Sequence, residues 1–432
     1  MQPKKYDDMK TYKQRVSDAI LTQKLESKGA VLIEGAKWCG KTTTARQQAR
    51  SILNLGDTTE YERSKDMMSI NSRLLLEGEV PRLIDEWQTL PGLWDSVRSE
   101  VDSRGESGQF ILTGSSVPPD MSQMRHSGVG RISILRMRPM SLYESGEGNG
   151  SVSLASLFSG QTIEPMHAEA TIDEVAYQIC RGGWPQATCQ SGRIALSHAR
   201  DYFDVVTEYD IRQIDGARRN PGRARAIMRS YARNQGYQTP LGTIRADILQ
   251  NEGMSISDDT IADYVNAMSK MFVIEDMHSW NPNLRSKAAI RQSACRYFVD
   301  PSIAAAAIGA GPGDLIKDLK TMGLFFESMA IRDLRVYTEA LDGSVFHFRD
   351  SNGLECDAVI HLHDGRYGLI EMKLGGTQKI EEGAASLTKL YDTLDYTRMN
   401  KPSFMMVVVG VGQYAYQRKD GIFVVPLSCL KP

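Results

Sequence analysis

Three sets of residues have types and spacing that can do chemistry. Gly35, Gly40, Lys41 and Thr42 form the pattern G-x-x-x-x-G-K-T between the apolar run Ala30 to Ile33 and a helical stretch, Thr43 to Ile52. Glycine lets a backbone approach a ligand without a Cβ. The N–H groups of such a loop and of the following helix start surround a phosphate. The loop expected to do this is Gly35, Ala36, Lys37, Trp38, Cys39, Gly40, Lys41, Thr42 and Thr43. Lys41 would reach the β and γ oxygens of a nucleoside triphosphate, and the Thr42 hydroxyl would ligate Mg²⁺. Trp38 and Cys39 are bulky for the positions between the glycines and are expected to point away from phosphate. Cys39 is either a thiol activated by the helix start or an inert one.

The second set follows two further apolar runs. Val80 to Ile84 ends in Asp85 and Glu86, and Gln109 to Leu112 ends in Thr113, Gly114 and Ser115. Asp85 would hold Mg²⁺ through water, and Glu86 would deprotonate the attacking water. In an open α/β sheet, ligands sit at the carboxyl ends of the strands. Thr113 or Ser115 would therefore contact the γ-phosphate or the water. A bare Asp-Glu or Thr-Gly-Ser is otherwise an ordinary solvated turn.

The third set is Asp357, Glu371 and Lys373, on two strand-like runs around a turn at Asp364-Gly365. A hairpin symmetric about 364 makes residues whose numbers sum to 728 face each other. Asp357 then opposes Glu371, and Glu355 opposes Lys373. Glu371 and Lys373 share a strand face by the period of two. Close carboxylates repel unless they share a cation, so Mg²⁺ or Mn²⁺ suits the spot. The lysine would orient or activate a water. The same residues could equally form a surface salt-bridge network, or a site that binds without cutting.

The elements that carry these residues divide the 432-residue chain, whose length alone argues for about three domains. Residues 1–150 alternate apolar runs with helices, as a parallel α/β sheet does. Residues 151–170 continue a Gly/Ser-rich stretch and are expected to be a linker. Residues 171–310 are helical by periodicity, and 311–432 give a helix followed by strands. Within the helical block, Ser257 is placed to cap a helix whose core face is Ile261, Val265, Met268 and Phe272. With the segment before it, this looks like a winged helix. Asp258, Asp259 and Asp263 would repel a DNA backbone there, so packing or protein contact competes with base reading.

An arginine-rich stretch runs from Arg212 to Arg233 and includes Arg218, Arg219, Arg223 and Arg225, with only Asp215 acidic. It could track a nucleic-acid backbone. It could equally be a solvated helix face or a contact with acidic neighbours. The overall balance is 51 basic against 53 acidic residues, which excludes a uniformly basic binder but not a local basic surface. Six cysteines without a C-x-x-C pair suggest a reducing, cytoplasmic compartment. No apolar run is long enough to suggest a signal peptide or membrane span.

The run from Pro81 to Ser116, with the phosphate loop before it and RMRPMSLYE after it, resembles a family of bacterial ATPases of the AAA superclass. Gly182-Gly-Trp-Pro185, the segments around Asp210 and Ser257 to Phe272, and RYFVDPSIAAA extend the resemblance over nearly the whole chain. The resemblance implies ATP as the nucleotide and an oligomeric assembly in which a neighbour's arginine completes the site. Arg131 sits where the family has its Gly-Arg, Arg125 is the weaker candidate, and either could be a plain surface arginine. The D-x(13)-E-x-K spacing resembles restriction-endonuclease-like folds, which add an acidic residue on a preceding helix; Glu327 fits by position. The expected protein is an ATP-hydrolysing AAA-type enzyme acting on DNA, with a winged-helix middle and a nuclease-like C-terminal domain. The alternative is a nucleotide switch that recruits a protein partner and carries an inactive nuclease-like fold. ATPase activity with DNA binding but no cutting lies between the two.

Overall fold

The computed structural model describes residues 12–116, 128–281, 293–350 and 353–432, so Arg125 lies outside the described residues. The N-terminal unit is built on five parallel strands. These are β1 (Ala30–Glu34), β2 (Ser51–Asn54), β3 (Arg82–Asp85), β4 (Phe110–Gly114) and β5 (Ile132–Arg136). Their spatial order is β2-β3-β4-β1-β5. The inner strands read as continuous apolar runs because both faces are covered. Val31, Ile33, Leu83, Ile111 and Leu135 pack with Leu21 and Leu25 of the helix Val16–Ser27. Leu32, Ile84 and Leu112 pack with Trp94 and Val97 of the helix Leu93–Arg104. The order matters for chemistry. Placing β4 between β1 and β3 sets Thr113 beside both Asp85 and Ile33, at the strand ends where the phosphate loop begins.

The middle unit contains the helices Ile172–Arg181, Gly192–Val205, Pro221–Arg233, Leu241–Glu252, Asp258–Lys270 and Pro301–Ile308. Ser257 caps the fifth of these, its Oγ accepting from the Thr260 N–H at 3.2 Å. Ile261, Met268 and Phe272 are buried and Val265 packs against them. After this helix the chain returns on itself through antiparallel bridges Ile274 to Phe298 and Met277 to Cys295.

Two short strands and a helix follow the first unit: β6 (Val152–Ser153), Leu154–Phe158 and β7 (Met166–Ala170). They correct the expected linker at 151–170. β6 pairs with the last strand, β14 (Leu430–Lys431), and Phe158 packs edge-on against Phe404 with ring centres 5.0 Å apart. β7 joins the C-terminal sheet. That sheet adds β8 (Gly343–Arg349), β9 (Glu355–Leu362), β10 (Tyr367–Lys373), β11 (Phe404–Val409), β12 (Gly412–Gln417) and β13 (Phe423–Pro426). Its order is β7-β12-β13-β11-β10-β9-β8. The Gly/Ser content marked the turns of this segment and hid its apolar anchors, Val152, Leu154, Leu157 and Phe158, which are buried. The helices Leu319–Glu339 and Thr377–Thr393 both pack on β9 and β10, and β10 runs parallel to β11 across the second. Among the described residues, no helix is long and apolar enough to cross a membrane.

Candidate functional site

The loop after β1 bends where glycine is needed. Gly35 has φ +153°, and a Cβ there would come within 2.0 Å of the Met137 carbonyl oxygen. Gly40 has φ +103°, in the left-handed region that admits glycine readily. The helix Lys41–Gln48 starts immediately after it. The Lys41 ammonium is buried and donates to the carbonyls of Gly35 at 2.9 Å and Ala36 at 2.8 Å. One buried cation and a cradle that a side chain would fill suit a polyphosphate. Thr42 Oγ1 donates to Asp85 Oδ1 at 2.8 Å, and Thr113 Oγ1 donates to the same oxygen at 2.5 Å. A hydroxyl and a carboxylate thus meet, and together they would hold Mg²⁺, which would neutralise phosphate charge.

Glu86 adopts the left-handed conformation, φ 59°, which turns it out of the strand line. Its Oε2 accepts from Gln88 Nε2 and, at 3.3 Å, from Ser115 Oγ. Cys39 is buried with Sγ 3.5 Å from the Met137 carbonyl, away from the cleft and from solvent oxidants. Trp38 differs from expectation. It is half exposed, lines the cleft, and meets Tyr202 edge-on at 5.5 Å.

The cleft has a second wall that no local pattern announces. A space of 570 Å³ lies between Lys37, Lys41, Thr42, Glu86 and Ser115 on one side and Trp184, Pro185, Gln186 and His198 on the other. Lys37 Nζ is 2.7 Å from Asp210 Oδ1, which sits on the π-helical turn Val206–Asp210. Tyr202 stacks on Trp184 with ring centres 4.4 Å apart. The phosphate loop is therefore held directly by the helical unit.

Arg131 belongs to the opposite end of the sheet. Its carbonyl accepts from the Ala30 N–H at the start of β1, and its guanidinium pairs with Asp102 at 2.8 Å. From there it faces away from its own phosphate loop.

In the C-terminal unit the hairpin pairs Tyr367 with His361 and Ile370 with Ala358, so facing residues sum to 728. Asp357 Oδ2 accepts from the Met372 N–H at 2.7 Å. Lys373 Nζ lies 2.6 Å from Glu371 Oε2 and 3.2 Å from Asp357 Oδ2. Glu355 corrects the symmetric expectation: it pairs with Arg349 at 3.1 Å rather than with Lys373. Ser386 donates to Glu371 Oε1 at 3.2 Å, and Tyr297 donates to Glu327 Oε1. Burial raises both Glu327 and Glu371 above the usual carboxylate range, with the charge of Asp357 adding to it. Burial works against the Lys373 ammonium, but Asp357 and Glu371 hold it up. Among the described residues, no set of three or more His, Cys, Asp or Glu side chains is arranged to hold a metal ion. What converges is two carboxylates on one cationic position, with Glu327 behind them.

That arrangement fixes a pH dependence. An unfolded glutamate ionises near 4.3, whereas folded Glu327 keeps its proton to higher pH. The folded state binds more protons in that window, so stability falls as pH rises through it. In chelator, the melting temperature is expected to fall from about pH 5 to about pH 8, with a smaller slope in Glu327→Gln. Thermal melts across this range check it; an unchanged slope in the variant would remove Glu327 as a source.

The arginine stretch is corrected in part. Arg219 is buried, with Asp215 at 2.6 Å and Asp263 at 2.8 Å. Arg225 is shared by Asp204 at 2.8 Å and Glu208 at 3.1 Å. Arg229 and Arg233 take Glu252 and Asp247. Apart from Asp215, these guanidiniums are paired with acidic groups that lie outside the stretch in sequence. Arg212, Arg218 and Arg223 remain exposed.

Comparison with known proteins bears on these units separately. Residues 27–146 match the AAA domain family, 172–314 match a domain of unknown function (DUF8612), and 322–430 match another (DUF4143). Uncharacterized proteins of Mycobacterium tuberculosis and Mycobacterium bovis are each 22% identical over 415 residues, covering 95% of this chain and 83% of theirs. A Walker-type ATPase of Pyrococcus abyssi aligns over 67% of this chain and 94% of its own, at 16% identity and a TM-score of 0.39. A signal transduction ATPase with numerous domains and a tetratricopeptide repeat sensor, from Pyrococcus horikoshii, aligns over 77% and 47%, at 13% identity and a TM-score of 0.23. Residues 27–146, which carry the phosphate loop, thus match an AAA domain.

Proposed function

We propose that this chain hydrolyses ATP in the cleft between its N-terminal and helical units, and that its C-terminal cluster is a restriction-endonuclease-like centre acting on DNA. The observation that carries the first part is Asp85 Oδ1, which gathers Thr42 from the phosphate loop and Thr113 from β4. Lys41 neutralises β and γ oxygens. Thr42 and Asp85 would hold Mg²⁺, which would supply charge neutralisation. Glu86 takes a proton from the attacking water, and Thr113 orients the γ end. Arg131, facing away from its own cleft, is suited to a neighbour's cleft in a homo-oligomer.

The second part rests on the order helix, three antiparallel strands, helix, parallel strand, which brings Asp357, Glu371, Lys373 and Glu327 together. Asp357 and Glu371 would hold Mg²⁺ or Mn²⁺, which would neutralise charge on a phosphodiester. A Mg²⁺ ion commonly needs only one or two protein carboxylates and keeps its waters, so the pair fits. Lys373 would then turn from the carboxylates to a water. Exposed Arg218 and Arg223 would meet the nucleic-acid backbone.

One observation favours a second reading, a nucleotide switch with a protein partner. The phosphate loop is tied to the helical unit through Lys37–Asp210 and Trp38–Tyr202, while Arg219 and Arg225 are engaged internally. A Mg²⁺ and Mn²⁺ titration with labelled single-stranded, duplex and branched DNA, with and without ATP, separates the two. Cation-dependent cleavage by the wild type, lost in Glu371→Ala and in Lys373→Ala, is the expected result. Equal behaviour of wild type and Glu371→Ala would sink the nuclease reading and leave the switch.

A further inference from the structure

We propose that Gln88 is a positioning residue for ATP hydrolysis, its amide holding Glu86 on one side and the attacking water on the other. The inference rests on the reading of Glu86 as the base. It begins in the chain itself. Glu86 leaves β3 in the left-handed conformation and caps the short 3₁₀ turn Trp87–Thr89. Trp87 is buried against Trp94, ring centres 5.1 Å apart, which anchors the turn. The buried Gln88 side chain is thereby directed back toward Glu86.

The amide can sit only one way round. Gln88 Nε2 donates to Glu86 Oε2; a flipped amide would set two acceptors against each other. The donor side being taken, Oε1 faces the other way, and it is buried without a hydrogen-bond partner. A buried carbonyl oxygen left unpaired is costly, so this one is poised for a donor. Gly114 leaves the room: a Cβ there would come within 2.9 Å of Gln88 Oε1. Gln88, Glu86 and Ser115 line a 270 Å³ space that shares Lys37, Glu86 and Ser115 with the phosphate-loop cleft.

In hydrolysis the water oxygen forms a bond to the γ-phosphorus and the bond from phosphorus to the β–γ bridging oxygen breaks, leaving ADP. One water proton passes to the Glu86 carboxylate. The other stays on the new phosphate and points at Gln88 Oε1 during the attack. A water held by two acceptors has its lone pair aimed in line, which is the geometry that raises rate without adding affinity.

The test is steady-state ATPase kinetics with nucleotide binding measured separately. Gln88→Met keeps the packing volume and removes both polar atoms; Gln88→Glu keeps an acceptor and sets a like charge against Glu86. Both are expected to lower kcat by about 10²-fold, with KM and ATP affinity within about threefold. Combined with Glu86→Gln, neither is expected to lower kcat further, since the two residues act as one unit. A folded Gln88→Met or Gln88→Glu enzyme with wild-type kcat would reduce Gln88 to packing, as would additive loss in the double variant. If Glu86→Gln itself turns over normally, the reading of Glu86 fails instead, whatever Gln88 does.

Discussion

Glu86→Gln is expected to lower ATP turnover by about 10²- to 10⁴-fold while nucleotide affinity changes little. The substitution keeps size and hydrogen-bonding shape and removes only the ability to take a proton. Lys41→Ala is expected to do the opposite: affinity collapses and turnover falls with it. Lys41 is the buried cation of the loop, and its ammonium sits on the Gly35 and Ala36 carbonyls, at the mouth of the cradle. Phosphate oxygens brought there without it meet backbone carbonyl oxygens and no compensating charge. Equilibrium binding of a fluorescent ATP analogue and single-turnover hydrolysis separate the two variants. Normal turnover in Glu86→Gln would remove that residue from proton transfer.

The largest stability effect is expected at Arg332. Its side chain is 2% exposed and pairs with Asp300 at 2.9 Å and Asp333 at 2.7 Å, both fully buried. Both carboxylates have further partners, and that of Asp333 lies in the N-terminal unit. Asp300 accepts from the Gly183 and Ser302 N–H groups, and Asp333 accepts from the Leu142 N–H at 2.9 Å. Burial already pushes Asp333 up to about 6 despite Arg332. Arg332→Ala leaves two buried carboxylates without their cation and opens a cavity. Breaking such a buried pair costs about 3–5 kcal/mol. A loss of that size in urea unfolding, together with earlier melting of the N-terminal unit, is the expected outcome. A loss under about 1 kcal/mol would mean the carboxylates find other partners or water.

Some of this was legible in the chain. The phosphate loop is a contiguous pattern whose glycine requirement is local, and Gly35 and Gly40 do take the positive φ it needs. The hairpin register follows from a three-residue turn, 363–365, and a period of two, so facing pairs could be counted from 364. The period of 3.6 also set which face of the helix Asp258–Lys270 is apolar, and the unbroken apolar run of β1 marked a strand covered on both faces. Other assignments failed where a partner lies far off in sequence. The arginine stretch holds only Asp215 within its own window, yet Asp263 and Asp204 arrive from other helices. Glu355 faces the expected way along the strand, but Arg349 across β8 captures it. The segment 151–170 has a turn-rich composition and still forms strands, because distant edges are there to receive it.

The sequence by itself determined the local elements, the phosphate loop, the acidic strand end and the hairpin carrying Asp357, Glu371 and Lys373. Such features depend on residues a few positions apart, within reach of backbone geometry. Only the tertiary structure decided that β4 lies between β1 and β3, joining Thr113 to Asp85. It alone supplied Trp184, Gln186 and His198 as a second wall of the cleft and paired four arginines with acidic side chains. Strand order and ion-pair choice are set by burying apolar faces together and by matching desolvated charges. Both are properties of the whole packed chain.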